Sequence, residues 1–164
     1  MITAHAPAGY LVGRALSRER AVIVAALLGG IAPDFDLIWF YFVDDRAFHH
    51  HRYWVHAPAF WAAAALFVAP VLMFAPRHAQ AIAVAFLAAI FVHLCLDSVT
   101  GGIMWLWPWS DRLISLIEVP PTRSHFLLSF LTHWTMVFEA AIWVAALVVG
   151  WGQWRKKSVR ENQL

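Results

Sequence analysis

His93-Leu94-Cys95-Leu96-Asp97 closes an uncharged apolar run, residues 79–92, and decides how the rest of the chain is interpreted. On a helix, a spacing of four places the imidazole and the carboxylate on one face, one turn apart, where both can bind a single cation. A buried aspartate without a partner is costly, so ionisable residues in apolar segments generally pair, bind metal or face water. The pair therefore indicates a functional site at the end of a lipid-soluble helix.

The composition places this helix in a membrane protein. Of the 164 residues 62% are hydrophobic and only 13% are charged, whereas about a quarter of a soluble domain is charged. The mean hydropathy of +0.64 agrees with this. Ten Trp and twelve Phe exceed what a small soluble core buries, and membrane interfaces take up Trp readily. A formal charge of +2 is too small to indicate nucleic-acid binding, and the single cysteine excludes an intramolecular disulfide. The expected partner is the lipid bilayer.

The region before the central pair allows two interpretations. A short helix is predicted over residues 3–17, and the next apolar run, residues 21–32, stops at Pro33-Asp34-Phe35-Asp36. Either residues 21–43 form one long span with two carboxylates in its middle, or the two runs form a helical hairpin that ends at Pro33. We favour the hairpin, because proline disfavours helical geometry in the residue before it and mid-bilayer carboxylates are costly.

The remaining apolar runs complete an all-α bundle of about four to five apolar helices. Beyond a polar loop over residues 44–56, spans are predicted over residues 57–75, 79–97 and 126–154. Trp105, Trp107 and Trp109 suggest a segment at the membrane interface. Residues 1–154 are expected to form one membrane-embedded domain, with residues 155–164 as a basic polar tail. The first residues lack a signal-peptide pattern, so the apolar segments are expected to direct targeting.

This layout separates two kinds of residue between the ends of the bundle. The candidate metal-binding and catalytic residues share one end: His5, Asp34, Asp36, His51, His56, His93 and Asp97. Most of the basic residues share the other: Arg14, Arg18, Arg20, Arg77, Arg155, Lys156, Lys157 and Arg160. By the positive-inside rule the basic end and the tail are cytoplasmic, so the His/Asp cluster is expected to face the non-cytoplasmic side.

Histidine nitrogens together with aspartate oxygens suit zinc, or a similar first-row divalent ion such as manganese or iron, better than calcium. His93 and Asp97 supply two ligands, and His56 and Asp36 could complete four. His5, with Asp97 bridging, could begin a second site, and paired metals are a device for hydrolysing phosphoesters. Arg52, next to His51, has a fork of donors suited to phosphate.

Other polar residues have simpler interpretations. His78 and His133 are expected to make one local hydrogen bond each, and His49 and His50 to be solvated in their loop. Glu139 is interpreted as a neutral or paired structural carboxyl. The aromatic stripes are most simply packing and interface anchors.

Four short motifs in order carry a family resemblance: His5, then Pro33-Asp34-Phe35-Asp36, then His51-Arg52 with His56, then His93-x-x-x-Asp97 followed by Thr100-Gly101 and Trp107-Pro108. Together they resemble the YdjM-like family of membrane-bound, metal-dependent hydrolases. That resemblance implies a helical core shared with the zinc-dependent phospholipases C and the fungal single-strand nucleases, and a bacterial inner (plasma) membrane location.

Carried over by position, the resemblance implies a first metal held by Asp36, His56, His93 and Asp97, and a second using His5 with Asp97 shared. The soluble relatives complete a third site with a His and a Glu one helical turn apart. Here His133 and Glu139 are six apart and do not share a helical face, so one or two ions are predicted.

The function predicted from these residues is hydrolysis of a phosphoester in a lipid or lipid-linked substrate. Asp34, His51 and Arg52 are the expected catalytic residues, with Asp34 or Asp36 as the base or orienting group and Arg52 as a phosphate contact. The alternative is a non-enzymatic metal-binding membrane protein, such as an ion carrier or sensor. A third possibility is a structural subunit whose His/Asp pairs only lock helices together.

Overall fold

Seven α-helices make up most of the chain in the computed structural model, which describes residues 3–124 and 126–161. In chain order they are α1 His5–Leu16, α2 Arg20–Ile31, α3 Asp36–Phe42, α4 Pro58–Met73, α5 Arg77–Thr100, α6 Phe126–Leu131 and α7 Met136–Glu161. Over the described residues the one β interaction is an isolated bridge between Ile103 and Ile114. The predicted all-α class is confirmed.

The N-terminal helices form the predicted hairpin. α1 and α2 pack along each other, and α2 ends at Ile31, just before Pro33. A 3-10 turn, Pro33–Phe35, then leads into α3, and the segment Pro33–Phe42 is bent by 52° from α2. Ala32, the residue before the proline, keeps helical dihedral angles, but Pro33 has no backbone N–H to continue the α-helical hydrogen bonds, so α2 ends there. Asp34 and Asp36 consequently lie at a bend rather than in the middle of a straight span.

The central packing unit consists of α1, α2 and α5, with α2 and α5 running in the same direction. Near their starts, Nδ1 of His78 lies 2.6 Å from Oε2 of Glu19, and near their ends Nδ1 of His93 lies 2.7 Å from the carbonyl oxygen of Gly30. Glycine also lets α1 approach α2 closely. A Cβ on Gly30 of α2 would lie 2.6 Å from the carbonyl oxygen of His5 in α1, so this position requires glycine.

The structure supports fewer spans than predicted. By length and composition two helical segments can cross a membrane: α5 and residues Met136–Lys156 of α7. The bent pair of α2 with residues Pro33–Phe42 would be a third. The span predicted over residues 57–75 appears as α4, whose 16 residues fall short of the roughly 20 of a regular span. Two or three spans are therefore supported, and the predicted count of four to five is not confirmed.

The prediction of one helix over residues 126–154 is wrong. The chain is interrupted between α6 and α7, where Oγ1 of Thr132 donates to the carbonyl oxygen of Leu128 at 2.8 Å and Nδ1 of His133 lies 2.9 Å from Oγ1 of Thr135. Such short polar side chains compete with the helical backbone for hydrogen bonds. At its other end α7 continues to Glu161, into the segment predicted as a polar tail.

Between α5 and α6 the chain folds back over the end of α5. Ile103 and Ile114 exchange backbone hydrogen bonds, and Nε1 of Trp105 donates to Oγ of Ser98 at 2.7 Å. Trp105 is half-buried, whereas Trp109 is 88% exposed, as an interface residue would be. This segment covers the end of the bundle where His93 and Asp97 lie.

Candidate metal centre

The last two turns of α5 carry the centre of the site. His93 and Asp97 are both fully buried, and Nε2 of His93 lies 3.1 Å from Oδ2 of Asp97. The helical spacing of four places both on one face, as the sequence predicted. Asp97 is thus a carboxylate inside the protein that needs positive partners.

α1 contributes His5, its first residue. Nε2 of His5 lies 3.1 Å from Oδ1 of Asp97, and its ring stacks on that of His93 with centroids 3.8 Å apart. The close approach of α1 to α2 at Gly30 holds His5 there. The hairpin prediction matters for this reason, because a straight span over residues 21–43 would have carried His5 away.

The loop before α4 contributes two more imidazoles. His56 ends a 3-10 turn, and its Nε2 lies 3.5 Å from Nε2 of His93 and 3.7 Å from Oδ2 of Asp97. His51 lies in the preceding 3-10 turn, with its Nε2 3.4 Å from the same Oδ2. His51, predicted as a catalytic residue, therefore has the same position relative to Asp97 as the predicted ligands.

The two aspartates of the bend have different positions. Oδ1 of Asp34 faces the cluster, 3.8 Å from Nε2 of both His56 and His93, and its side chain is 27% exposed. Oδ2 of Asp36 instead lies 2.8 Å from Nδ1 of His56, on the far side of that ring, and its Oδ1 lies 3.4 Å from Nδ1 of His50. Asp36, predicted as a metal ligand, is placed behind a histidine, and Asp34 is placed among the ligand atoms.

Arg52 lies at the surface. Its guanidinium is 43% exposed, and Nη1 lies 3.4 Å from Oδ2 of Asp111. Exposed ion pairs of this kind are weak. The predicted phosphate contact is thus near the cluster in sequence, and its contact partner is the carboxylate of Asp111.

The histidines interpreted as ordinary have local partners. Nδ1 of His49 accepts from the backbone N–H of His51 at 3.2 Å, and His133 contacts Thr135 as expected. His78 pairs with Glu19 rather than with its own helix. The expectation that His50 is simply solvated differs from its contact with Asp36, which leaves the His50 side chain only 23% exposed.

Three of the imidazoles are anchored at Nδ1, so that Nε2 points inward. The carbonyl oxygen of Gly30 accepts from His93 at 2.7 Å, that of Gly102 accepts from His51 at 2.8 Å, and Asp36 lies 2.8 Å from His56. Metal-binding histidines are held in this way, because the partner fixes both the tautomer and the ring orientation. In the sequence Gly101 was noted as part of the fourth motif, and nothing in the sequence signals that the carbonyls of Gly102 and Gly30 hold imidazoles.

The spacing of the inward atoms fits a metal ion. Nitrogen and oxygen ligands of one tetrahedral zinc stand roughly 3.3 Å apart. Contacts among the inward atoms range from 3.1 Å for His93 with Asp97 to 3.8 Å for His93 with Asp34. The ligand atoms of one set, His5, Asp34, His93 and Asp97, all lie within 4.8 Å of one another. A second set of the same kind consists of His50, His51 and His56. These buried donors fit a divalent cation in charge, type and spacing.

The pKa values of the two loop histidines, His51 and His56, are shifted in opposite directions. Burial, which disfavours the charged imidazolium, lowers the pKa of His51 to about 3 despite the opposing charge of Asp97. Burial also acts to lower the pKa of His56, but the nearby carboxylates of Asp34 and Asp36 raise it to about 9. The carboxylates thus make the His56 side of the cluster strongly attractive to positive charge.

Fold and site together define an α-helical integral membrane protein with a buried His/Asp cluster suited to a metal ion. A family model described as YdjM inner membrane protein matches residues 1–159. The chain therefore belongs to the YdjM family of inner membrane proteins, as the four motifs indicated. Comparison with curated proteins and with solved structures gives no match. The predicted kinship with zinc-dependent phospholipases C remains a prediction.

Proposed function

We propose that this protein is a membrane-bound, divalent-metal-dependent hydrolase that cleaves a phosphoester in a lipid or lipid-linked substrate. The observation that carries the proposal is the convergence of four histidine Nε2 atoms on Asp97, three of them from rings anchored at Nδ1. Side chains that only lock helices together would not need all four of these Nε2 atoms to face one carboxylate.

In this proposal the ions are bound by the inward-facing donors. These would be His5, His51, His56, His93 and Asp97, with Asp34 beside them on the solvent-exposed side of the cluster. Asp36 orients His56 from behind rather than binding metal directly, a revision of the sequence-based assignment. Asp97 contacts His5 and His93 of the first set as well as His51 and His56 of the second, so it would be the shared ligand if two ions bind. Zinc is the best match to this donor set, with manganese or iron as alternatives.

A divalent cation held there would acidify a water molecule and neutralise charge that develops on a phosphoryl group. Asp34 is the cluster carboxylate that combines solvent exposure with contact to two imidazoles, so it is the proposed base or orienting group for water. Arg52 exchanges Asp111 for a phosphate oxygen, to which its fork of donors binds more strongly. The fully buried His56 and His93 exclude bulk water from the opposite side.

A groove beside the cluster supports a lipid-like substrate. It has a volume of about 600 Å³, within the range of ligand-binding pockets. Asp36 forms part of its wall, which connects the groove to His56. The rest of the wall is mainly apolar and aromatic: Ala32, Phe35, Trp39, Asp44, Tyr53, Trp54 and Val55. Such a groove suits the apolar part of a substrate whose phosphate lies at the cluster.

The proposed orientation follows from the positions of the basic residues. α1 ends, and α2 and α5 begin, at the end opposite the cluster, as the contact between Glu19 and His78 shows. α7 runs alongside α1, with Gly150 near Tyr10, so its basic last turns lie toward that end too. By the positive-inside rule that end is cytoplasmic, and the His/Asp cluster faces the non-cytoplasmic side.

The test is metal analysis and hydrolysis by the purified protein. We expect about one or two divalent ions per chain and cleavage of a phospholipid or a generic phosphodiester that chelation abolishes. Asp97→Asn should lose both metal and activity. His78→Ala is a matched control, because it removes a histidine paired with an acid at the opposite end. Activity that survives chelation, or is unchanged in Asp97→Asn, contradicts the proposal.

The second candidate is a non-enzymatic metal-binding protein, and the depth of the cluster favours it. His56, His93 and Asp97 are all 0% exposed, as in a site that only retains an ion. Within the described part of the chain the core between the cluster and the basic end is apolar, formed by Val22, Ala26, Ala85 and Ala89. Because an apolar core offers an ion no polar path to the basic end, it argues against a carrier and favours a sensor. Stoichiometric metal without turnover of any phosphoester would favour the sensor.

A further inference from the structure

Glu139 lies buried in the first turn of α7, at 3% exposure, and the proposed chemistry does not use it. A carboxylate inside a membrane helix is costly unless polar groups surround it. Two of the groups that contact it belong to Thr3, near the start of the chain. Oε2 of Glu139 accepts both the backbone N–H and the hydroxyl of Thr3, each at 2.7 Å.

A second residue of α7 contacts the same threonine. Trp143, one turn after Glu139, donates its Nε1–H to Oγ1 of Thr3 at 3.2 Å. Residues four apart on a helix share a face, so α7 holds Thr3 from two successive turns. The contact joins the first described residue of the chain to its last long helix.

Thr3 lies directly before α1, whose start has no side-chain cap of its own. The N-cap residue Ala4 offers no side-chain acceptor. The first N–H groups of a helix lack intrahelical partners, and negative charge near them is favourable. Glu139 provides an acceptor oxygen for the N–H of Thr3 from another helix, so it fixes the position at which α1 begins.

The beginning of α1 is also the position of His5. Its Nε2 lies 3.1 Å from Oδ1 of Asp97, and its ring stacks on His93. A small displacement of the helix start would break both contacts. Residues that orient ligands from behind generally affect metal affinity about 10- to 100-fold.

We infer that Glu139 is a positioning residue, which fixes the start of α1 through Thr3 and thereby places His5 in the metal centre. The inference rests on the proposed metal site, since His5 acts there as a ligand. In this role Glu139 is not a ligand of a third metal site with His133, six residues away. It affects the cluster indirectly, through the position of His5.

The experiment measures zinc affinity of the purified full-length protein by competition with a fluorescent chelator. Glu139→Ala should weaken binding about 10- to 100-fold, whereas Glu139→Gln, which keeps an acceptor oxygen, should retain most of the affinity. Thr3→Val removes the hydroxyl, which donates to Glu139 and accepts from Trp143, but keeps the backbone N–H bonded to Glu139, and should show a smaller loss. Tyr10→Phe is the matched control, because Tyr10 lies at the contact of α1 with α7 near Gly150, away from Thr3.

A double-mutant cycle with His5→Ala separates positioning from general stability. If Glu139 acts through His5, Glu139→Ala should have little further effect on zinc affinity once His5 is absent. Equal losses with and without His5, or unchanged affinity in Glu139→Ala, overturn the inference. Should Glu139→Ala not fold, the same cycle with Thr3→Val decides the question by the same criteria. Wild-type protein that binds no metal would instead contradict the proposed function.

Discussion

Nε2 of His56 and Nε2 of His93 face each other at 3.5 Å, while each ring has its acceptor at Nδ1. The carbonyl of Gly30 requires a proton on Nδ1 of His93, and the Asp36 carboxylate favours one on Nδ1 of His56. With both Nδ1 atoms protonated, the two Nε2 lone pairs would point at each other. A proton on Nε2 of His56 or a cation between the two rings removes this repulsion, and the nearby carboxylates favour both.

Removing the central carboxylate should abolish metal binding. Asp97→Asn preserves the shape of the side chain but removes the charge that four imidazoles face. We expect the zinc affinity to fall by more than about 100-fold, beyond the usual effect of an orienting residue. Competition with a chelator measures it. Glu19→Gln, at the far end of the bundle, should leave the affinity unchanged.

The different positions of Asp34 and Asp36 give a second prediction. Asp36→Asn keeps an oxygen beside Nδ1 of His56 and should weaken zinc binding about 10-fold, the lower end for orienting residues. Asp34→Asn should reduce hydrolysis more strongly than Asp36→Asn does, because Asp34 faces both His56 and His93. Metal titration and turnover measured on the same preparations distinguish the two roles. A larger loss of turnover in Asp36→Asn than in Asp34→Asn would instead identify Asp36 as the base or orienting group.

Gly30 should tolerate no side chain. A Cβ there would lie 2.6 Å from the carbonyl oxygen of His5, which is backbone and cannot move independently. Gly30→Ala should therefore destabilise the protein by about 1–3 kcal/mol, the usual cost of overpacking, and weaken metal binding through His5. Thermal unfolding in detergent measures the first effect. Gly152→Ala is the control, since nothing lies within 4 Å of its added Cβ, and its stability should be unchanged or slightly raised.

Acid should weaken metal binding. Imidazole binds metal only when deprotonated. The pKa of His56 is raised to about 9, so below that pH a proton occupies this ring and must leave before an ion binds, whereas His51, with a pKa of about 3, stays deprotonated. The apparent affinity should therefore fall about tenfold with each pH unit below about 9. Titrations between about pH 5.5 and 8 test this. An affinity independent of pH over that range would exclude His56 as a ligand.

Much of the site could be predicted from the sequence because its strongest signals are local. The spacing of His93 and Asp97 fixes one helical face, and Pro33 fixes the end of α2. Together they led to the hairpin, which brings His5 to the same end. The different positions of Asp34, which faces the cluster, and Asp36, which lies behind His56, could not be predicted in this way. They depend on which side of the His56 ring each carboxylate reaches. The break before α7 was missed because the apolar composition of residues 126–154 outweighed the polar Thr132 and His133.

The sequence by itself determined that this is an all-α membrane protein, which helices carry the His and Asp residues, and that these collect at one end. Those properties follow from apolar length, helical period and proline chemistry, all of which act within a few residues. Only the tertiary structure decided which nitrogen of each imidazole faces inward. The partners at Nδ1, Gly30 and Gly102 through backbone carbonyls and Asp36 through its carboxylate, come from other segments. Their positions depend on close packing of α1 on α2 and of α2 on α5, where glycine lets the backbones meet.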